Sequence, residues 1–553
     1  MSFDTDDGST TGTNSDRDDA LVGSDSSERE LVGGALVATS TVALLGGFLG
    51  LLRFVPVSNT LAGIRVGTLL GAVLTVAGAG TMAVGLSSIV GAPAERPRHP
   101  GGLVDATVFG LAWFVTGGLV AAYLLGLGSL WPIVALVAGV GATVAALVAR
   151  EDVGVTLPGG ALVALTGGVV ATGVIGPGWT WSPSAFSATV TPTTAVPVLL
   201  VVGGLLAGWI TARIYGGFGA KGRQTGAYVL VGANAAGMLA FLGLLVSFIV
   251  VRGFGPMTEG IKFGLFWGPV TWFHLPVLNE WLIIEGPIVW FYWPFVMEGY
   301  GLTTPMNGIF PAIVGTVWLV AGAIVIAVPL GVGCAVFLTE YAEQGRFTFL
   351  VETATNGLWS TPSIVYGLFG LAFFVPRLGN TNTILSGQIV LGFMLLPLVV
   401  ITSRESLKSV PDEYRDASAA LGVSKWETIK SVVLPAAMPG VITGVILGVG
   451  RIAGETAPIL LVMVSDPFPT EAPTFVEGWF RFTGSAPFVA GPELNLVQSS
   501  SALPYQLYAV ITAGLSENID FAWATALVLL LVVMSFYAIG IASRIYFRRK
   551  LTA

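Results

Sequence analysis

Few residues of this 553-residue sequence carry the chemistry that a soluble enzyme uses. It contains one cysteine and two histidines, and only 10% of its residues are charged. The lone cysteine, Cys334, cannot form a disulfide within the chain. Soluble domains carry about 25% charged residues, so this composition excludes an ordinary water-soluble fold. With so little histidine and cysteine, and no nucleophile–base set, a membrane enzyme is the weakest interpretation.

The sequence also lacks a phosphate-binding loop for ATP. Such a loop has the pattern GxxxxGK[ST], in which the backbone N–H groups cradle the phosphates and the lysine reaches them. The stretch from Gly219 to Thr225 does not fit this pattern. We therefore expect that this chain hydrolyses no ATP.

Long apolar stretches are what the sequence has in abundance. Hydrophobic residues make up 54% of it, and its mean hydropathy is +0.82. The stretches run about 20 residues, which is the length of a bilayer-crossing helix and not of a barrel strand. The sequence predicts an all-α, polytopic membrane protein with about twelve transmembrane helices. The predicted spans are 31–52, 64–90, 103–125, 129–149, 159–176, 194–213, 227–251, 309–338, 354–376, 384–403, 436–464 and 520–543.

Charges between the spans predict which side each loop faces. Short cytoplasmic loops carry an excess of lysine and arginine. Basic residues cluster in alternate loops, while the loops between them are aromatic and acidic and include Trp179, Trp281 and Glu285. This pattern predicts a multi-pass plasma-membrane protein with both termini in the cytoplasm. The high arginine content and the acidic start indicate a salt-loving prokaryotic source.

Composition divides the chain into five parts. Residues 1–30 are acidic and polar, and they are expected to form a disordered cytoplasmic tail because they bury too little apolar surface to fold. Residues 31–213 form a six-helix membrane block whose role the sequence does not reveal. A basic, glycine-rich linker at 214–226 precedes a second six-helix block at 227–543, and 544–553 is a basic cytoplasmic tail.

The longest cytoplasmic loop of the second block is more elaborate than a connection between spans requires. Ser409 and Ser424 are each followed three positions later by an acidic residue, a signature of a helix start. Gly422 can adopt the left-handed conformation that ends a helix. Pro435 and Pro439 are expected to break the chain at the membrane. The loop is predicted to form two short helices bent at a glycine, which suit docking to another protein; an amphipathic hairpin on the lipid surface is the alternative.

The loop resembles the EAA loop of ABC importer permeases. That loop reads Glu-Ala-Ala, three residues, Gly, nine residues, Ile, one residue, Leu-Pro, and the register holds here with Val432 in place of isoleucine. The resemblance implies that 409–435 is a coupling loop docked on a separate ATPase subunit, which holds the ATP and Mg, while this chain holds no cofactor. The matching positions are Asp416, Ala417, Ser418, Gly422, Leu434 and Pro435.

A pair of ionisable residues falls inside a predicted span. Such groups are costly in a membrane and usually face a partner or a pathway. Arg451 and Glu455 are four residues apart, so their side chains can meet on one helix face. The pair either locks helix packing or forms an anion site, in which the guanidinium binds an oxyanion once Glu455 is drawn away. Gly448, Gly450 and Gly454 allow a helix or substrate to approach closely.

Three segments around these residues resemble the PstA-type permeases of the phosphate-specific transport system. They are 450–461, 359–367 and 308–316, and the resemblance covers about 227–545. It implies a six-helix ABC importer permease domain of the type I, MetI-like class that moves inorganic phosphate into the cytoplasm by alternating access. It implies three partners: a PstC-like permease, a PstB-like ATPase dimer and a PstS-like phosphate-binding protein.

By that analogy Arg451 and Glu455 are transport residues. Nearby hydroxyl groups either donate hydrogen bonds to an anion or bond to their own backbone. The candidate pathway residues are Arg451, Glu455, Thr456, Ser360, Thr361 and Ser363. His274 and the tryptophans at 290–293 are expected in an interfacial belt or in a docking face for the binding protein.

Two other transport functions compete with this one. A permease for sulfate or molybdate would share the coupling loop and the arginine. An ion-driven secondary transporter is expected to have two similar halves, and the two blocks of this sequence do not resemble each other.

Overall fold

A computed structural model of the protein describes residues 15–90, 102–182, 189–275, 280–301, 308–343, 345–477, 481–482, 489–512 and 519–552. In these ranges, eleven helices are long and apolar enough to cross a membrane, or twelve if one helix pair bent by 101° counts as a single span. The predicted helical membrane fold is thus confirmed, and its twelve spans agree with the second count. The chain folds as two compact units, Met1–Leu242 and Gly243–Ala553.

The first unit is a bundle of closely packed helices. They are α1 (Ser15–Leu51), α2 (Val66–Val90), α3 (Leu103–Leu119), α4 (Trp131–Val148), α5 (Glu151–Ala171), α6 (Pro192–Tyr215) and the start of α7 (Gly219–Thr258), with a short strand pair, β1 (Thr60–Leu61) and β2 (Ile64–Arg65). α1 packs on α6, α2 on α5 and α3 on α4. A Cβ at Gly71 would lie 2.7 Å from the backbone N of Ala171. Small residues therefore let these helices meet backbone to backbone.

Two segments of the first unit differ from their description in the sequence analysis. Residues 1–14 of the predicted tail lie outside the described residues, and from Ser15 the backbone is helical and continuous with the first span, since extending an existing helix adds a hydrogen bond for each residue fixed. The predicted linker at 214–226 contains the end of α6, a tight turn and the start of α7. Gly217 makes this turn possible with φ at 78°. The boundary between the units falls later, within α7.

The second unit contains the remaining elements. They are the rest of α7, β3 (Lys262–Leu275), β4 (Glu280–Tyr292), α8 (Pro294–Met297), α9 (Phe310–Val336), α10 (Arg346–Ser360), α11 (Ser363–Phe373), α12 (Ile384–Lys408), α13 (Asp412–Ala420), α14 (Lys425–Thr428), α15 (Leu434–Ala453), α16 (Ala457–Val462), β5 (Val476–Glu477), β6 (Arg481–Phe482), β7 (Val489–Ala490), β8 (Glu493–Leu494), α17 (Leu503–Thr512) and α18 (Ile519–Thr552). β5 pairs with β8, and β6 pairs with β7. The core of the second unit lies where α12 packs between α9 and α15, around Leu319, Leu391 and Ile452.

Single turns of 3-10 or π-helix adjoin several of these helices. They are Val120–Leu124, Gly128–Leu130, Phe337–Tyr341, Val375–Arg377 and Ile429–Val433.

A long antiparallel hairpin lies between the predicted spans 227–251 and 309–338, in a loop for which no secondary structure was predicted. β3 and β4 pair from Lys262 with Tyr292 to Leu275 with Glu280, with a register shift after Pro269. Aromatic and β-branched residues, which favour strands, are frequent in both segments. The hairpin therefore adds β structure to a fold predicted as all-α.

Two predicted spans are interrupted. The span at 354–376 consists of α10 and α11, which bend by 101° at Pro362, because the residue before a proline is disfavoured in the α conformation. The span at 436–464 consists of α15 and α16. Gly454 is the C-cap of α15, and Pro458 lies in the first turn of α16. Each interruption falls at predicted pathway residues.

Candidate functional site

α13, the turn after it and α14 form an elbow, as the loop pattern predicts. Gly422 turns the chain with φ at 73°, in the left-handed region that favours glycine. The hydroxyl of Ser424 accepts a hydrogen bond from the N–H of Glu427 at 3.3 Å and so caps α14. The predicted helix start at Ser409 is wrong, because this residue is the C-cap of α12 and α13 follows Pro411 instead.

The chain does not break where it returns to the membrane. α14, the π-helical turn Ile429–Val433 and α15 run on as one helical stretch. In the π-turn the N–H of Leu434 reaches back to the carbonyl of Ile429. Pro435 follows directly after the π-turn, at the start of α15, and Pro439 lies inside α15. The predicted break at these prolines is therefore wrong.

The positions that match the EAA pattern lie on both sides of the elbow. Asp416 and Ala417 are exposed on α13. Ser418 is buried, and its hydroxyl donates to the backbone carbonyl of Tyr414 at 3.0 Å. The last two positions of the pattern are partly buried at the start of α15, Leu434 and Pro435.

Large apolar side chains are exposed on the elbow. Leu421 is 82% exposed and Trp426 is 59% exposed, and Tyr414 and Val423 are also exposed. Apolar side chains grouped on a protein surface mark interaction sites. The elbow therefore has a surface that suits a protein partner.

Arg415 ties the elbow to the rest of the second unit. Its guanidinium lies 2.8 Å from the carboxylate of Glu340, and it donates to the carbonyls of Leu407 at 3.1 Å and Val410 at 2.9 Å. The hydrogen bond to Glu340 raises the pKa of Arg415 above its usual value, against the opposing effect of burial. This brace was not predictable from the sequence, because 75 residues separate the two partners.

The two interrupted spans pack against each other. A Cβ at Gly367 on α11 would lie 2.8 Å from the Cα of Pro458 on α16, and a Cβ at Gly370 would lie 2.8 Å from a methyl group of Val462. The short helices therefore meet through glycine. Interrupted helices free backbone groups from helical hydrogen bonds, and transporters use such helices to bind substrates and ions.

Arg451 lies beside both interruptions. Its guanidinium carbon is 4.2 Å from the ring centroid of Trp359 on α10, and its Nε is 3.9 Å from Oε1 of Glu455. The Arg451 and Glu455 side chains are 35% and 19% exposed. A distance of 3.9 Å is too long for a hydrogen bond. An entering anion can therefore displace Glu455 without breaking a hydrogen bond between the two side chains.

The geometry of this pair differs from the one predicted. Arg451 lies in the last turn of α15, where the helix dipole favours a cation. Glu455 lies beyond the helix end, so the two residues do not form a one-turn pair on a continuous helix. The break at Gly454 sets their separation instead.

The hydroxyl residues of the predicted pathway have different surroundings. Ser360 and Thr361 both donate to the carbonyl of Gly357 at 2.9 Å, which is the backbone-bonded alternative. Ser363 begins α11, and Thr456 is the N-cap residue of α16. The structure thus brings Arg451, Glu455 and the end of α10 together, and the role of these residues in a pathway stays a prediction.

The glycines near Arg451 do not share one environment. A Cβ at Gly448 would clash with Leu395 on α12, and one at Gly450 would clash with Tyr537 on α18. Both glycines therefore serve the close helix packing that the sequence analysis considered. Gly454 faces open space, with its own helix end as the nearest neighbour.

A buried charge cluster lies in the first unit, where the sequence analysis found no site. Arg213 on α6 contacts Asp105 on α3 with both terminal nitrogens at 2.9 Å, and their side chains are 5% and 1% exposed. One contact is a hydrogen bond, while the other, to Asp105 Oδ1, lacks hydrogen-bond geometry. Glu151 lies 3.8 Å from Arg213 and 2.8 Å from Arg223. Arg213 and Asp105 are 108 residues apart and look like unrelated charges near span ends.

Comparisons with known proteins concern the part of the chain that carries the elbow. A family model described as the binding-protein-dependent transport system inner membrane component matches residues 327–474. The probable ABC transporter permease protein YqgI of Bacillus subtilis is 35% identical over 45% of this chain and 81% of its own length. The phosphate transport system permease protein PstA of Haemophilus influenzae is 30% identical over 44% of this chain and 77% of its own length. PstA 1 of Mycobacterium tuberculosis is 41% identical over 28% of this chain and 51% of its own length.

Proposed function

This chain belongs to the PstA-like permeases among the inner-membrane components of binding-protein-dependent transport systems, and we propose that it moves inorganic phosphate into the cytoplasm. It is an ABC importer permease, a transport component and not an enzyme. The substrate proposal is supported by the relatives that are named as phosphate permeases. The observation that carries it is the position of Arg451, partly exposed beside two interrupted spans.

The elbow is the proposed docking site for the ATPase. Its exposed apolar residues offer a surface to a partner, and the Arg415 brace fixes this surface to the helices of the second unit. Closure of an ATPase dimer would then displace the elbow and the helices attached to it. We assign ATP and Mg to this partner, a PstB-like ATPase dimer. A PstC-like permease and a PstS-like phosphate-binding protein complete the proposed assembly.

Alternating access gives Arg451 its role. Phosphate is an oxyanion that a guanidinium binds with two parallel hydrogen bonds. In the proposed resting state Glu455 and the Trp359 ring hold the guanidinium in place. Phosphate arriving from the binding protein takes the place of Glu455, and the change in the elbow on ATP binding then closes one side of the pathway and opens the other.

The proposed orientation places the elbow and both termini in the cytoplasm of a plasma-membrane protein. The distribution of lysine and arginine between alternate loops supports it. The β3–β4 hairpin is then external, on the side from which a phosphate-binding protein delivers its substrate.

Uptake into proteoliposomes tests the function. The vesicles contain this chain with its ATPase, second permease and binding protein, and uptake of phosphate, sulfate and molybdate is measured with and without ATP. ATP-dependent uptake confined to phosphate is expected. Uptake of sulfate or molybdate instead would keep the permease and reject the substrate. Uptake that follows an ion gradient without ATP would reject the proposed energy coupling.

A further inference from the structure

A groove lies beside the elbow, between the end of α9 and the start of α14. Its volume is about 300 Å³. Two π-helical turns, Phe337–Tyr341 and Ile429–Val433, contribute to its walls, and such turns are frequent at functional sites. The residues that define it are Val332, Gly333, Phe337, Tyr341, Trp426 and Lys430.

The interior of the groove is open and apolar. A Cβ at Gly333 would meet no atom within 4 Å, so the groove is unfilled at this point. Phe337, Tyr341 and Trp426 are large and exposed along it. Tyrosine and tryptophan are enriched where a membrane meets water, because their rings are apolar and their tips are polar.

The charges at the rim of the groove are basic. Lys430 lines the groove, and Nζ of Lys425 is 5.0 Å from the ring centroid of Tyr341. The carboxylate of Glu340, on the same π-turn as Tyr341, is already paired with Arg415. The rim therefore favours an anionic group next to an apolar interior.

The groove lies where two membrane spans end, Phe310–Tyr341 and Lys425–Ala453. The end of a span is the depth at which lipid headgroups adjoin the hydrocarbon core. We propose that the groove binds one hydrocarbon chain of an anionic phospholipid, whose headgroup is held by Lys425 and Lys430. Basic residues at this depth attract the anionic lipids of the cytoplasmic leaflet. The choice of leaflet rests on the orientation given under the proposed function.

A lipid in this groove also contacts the elbow. Trp426 belongs to α14, and Ile429 follows it in the groove wall. A bound chain therefore supports the half of the elbow that adjoins the membrane. Anionic lipid thus binds at the place where this permease is proposed to receive the movement of its ATPase.

Photo-crosslinking of the full chain tests the lipid site. The chain is reconstituted in vesicles of phosphatidylcholine and phosphatidylglycerol, with a phosphatidylglycerol probe that carries a diazirine in its hydrocarbon chain. Mass spectrometry is expected to find the label on peptides that contain 332–341 and 426–434. Gly333→Leu is expected to reduce this labelling about tenfold, because its side chain displaces about two methylene groups of the lipid.

Two further variants separate the groove from the lipid around the protein. Gly243→Leu changes a glycine on α7 where an added Cβ would also meet no atom within 4 Å. In this variant the groove peptides are expected to be labelled as strongly as in the wild type. Lys430→Gln is expected to reduce labelling by the phosphatidylglycerol probe about fivefold. A phosphatidylcholine probe with the same diazirine is expected to label Lys430→Gln and wild-type protein equally.

Three outcomes would overturn the proposal. Equal labelling of wild type, Gly333→Leu and Lys430→Gln means that the probe reports only surrounding lipid. Equal labelling by the two probes in the wild type means that the rim does not select an anion. Loss of the label when the partner ATPase or permease is added means that a protein covers the groove. Labelling requires neither ATP nor transport, so its failure and a failure of phosphate uptake are distinguishable.

Discussion

Arg451 is held by two weak contacts instead of one strong one. A cation–π contact contributes about 0.5–1 kcal/mol at an exposed site. The Arg451–Glu455 pair is only partly exposed, but its atoms are 3.9 Å apart and form no hydrogen bond, so its contribution is expected to stay at roughly 0–1 kcal/mol, as for a surface ion pair. Replacing Arg451 should therefore cost the fold little. A loss of transport in such a variant can be attributed to the missing guanidinium.

Arg451→Gln is expected to lower phosphate uptake about 10- to 100-fold, because each hydrogen bond to a charged group contributes about 1.5–3 kcal/mol. The measurement is ATP-dependent uptake in proteoliposomes at equal protein incorporation. Arg377→Gln is the control, since Arg377 also lies over a ring, that of Phe373, at 3.8 Å. Normal uptake by Arg451→Gln, or equal loss in both variants, would return Arg451 to a packing role.

The Asp105–Arg213 pair is the opposite case, since both side chains are buried. Arg213→Gln is expected to lower the stability of the first unit by about 3–5 kcal/mol, because Asp105 is then buried without its partner. The loss is measured on the full chain in detergent, as the difference in free energy of unfolding between variant and wild type, by thermal unfolding and by denaturant unfolding. The double variant D105N/R213Q should lose less than the sum of the single variants.

The exposed pair Lys408–Glu405 supplies the control for this measurement. Its side chains are 46% and 68% exposed, so Lys408→Gln is expected to change stability by less than about 1 kcal/mol. Equal losses of stability in Lys408→Gln and Arg213→Gln would mean that burial does not make the Arg213–Asp105 pair more important to stability than an exposed pair.

Sequence reasoning could find one of these arginines and not the other, for a physical reason. Arg451 lies well inside an apolar stretch, where the cost of a charge makes it conspicuous. Arg213 and Asp105 lie near the ends of predicted spans, where charges are common, and only the tertiary fold, in which α5 packs against both α3 and α6, brings them together. Their pairing is a property of the tertiary structure, which a single sequence does not specify.

At the scale of elements, the bend of the elbow depends on one glycine. Gly422→Val is expected to strain the turn by about 1–2 kcal/mol or more, since φ at 73° brings a Cβ against the following carbonyl. ATP hydrolysed per phosphate transported should rise, while membrane insertion is unchanged. The assay is the ratio of ATP hydrolysis to uptake in the reconstituted complex.

Gly255→Val is the matched control for the elbow. Gly255 lies in α7, and a Cβ there meets no atom within 4 Å. This variant should keep the wild-type ratio of hydrolysis to uptake. An unchanged ratio in Gly422→Val as well would count against the elbow as the coupling element.

Hydropathy located the spans but not their interruptions. Hydropathy averaged over a window of residues reports how readily the side chains leave water. Since α10–α11 and α15–α16 are apolar on both sides of each break, the average does not change at the break. The breaks are features of the backbone, at Pro362 in one span and after Gly454 in the other, and hydropathy does not report backbone conformation. The hairpin was missed for a related reason, since the pairing of β3 with β4 depends on register between two segments.

At the scale of the whole molecule, the family model covers part of the second unit and does not extend into the first. The family model matches residues 327–474, within the second unit. Deletion of residues 1–218 keeps α7 whole from Gly219, and the remaining chain is expected to insert, bind its ATPase and take up phosphate. Co-purification of the ATPase with the truncated chain is the measurement.

Membrane insertion of the truncated chain is assayed in parallel with ATPase binding. A chain that inserts but binds no ATPase would show that the first unit belongs to the transport core. That result would also contradict the division made at 214–226.

The β3–β4 hairpin has a consequence for handling the protein. Among the residues that the structure describes, each of its strands has one neighbour, so both outer edges present backbone groups that no described strand pairs with. At about 3.3 Å per residue, β3 offers an edge roughly 45 Å long, with Phe263, Leu265 and Trp267 exposed along it. Long apolar strand edges template pairing with further chains and favour aggregation. Purified without partners, this permease is therefore expected to self-associate through the hairpin. A variant with a shortened hairpin should aggregate less.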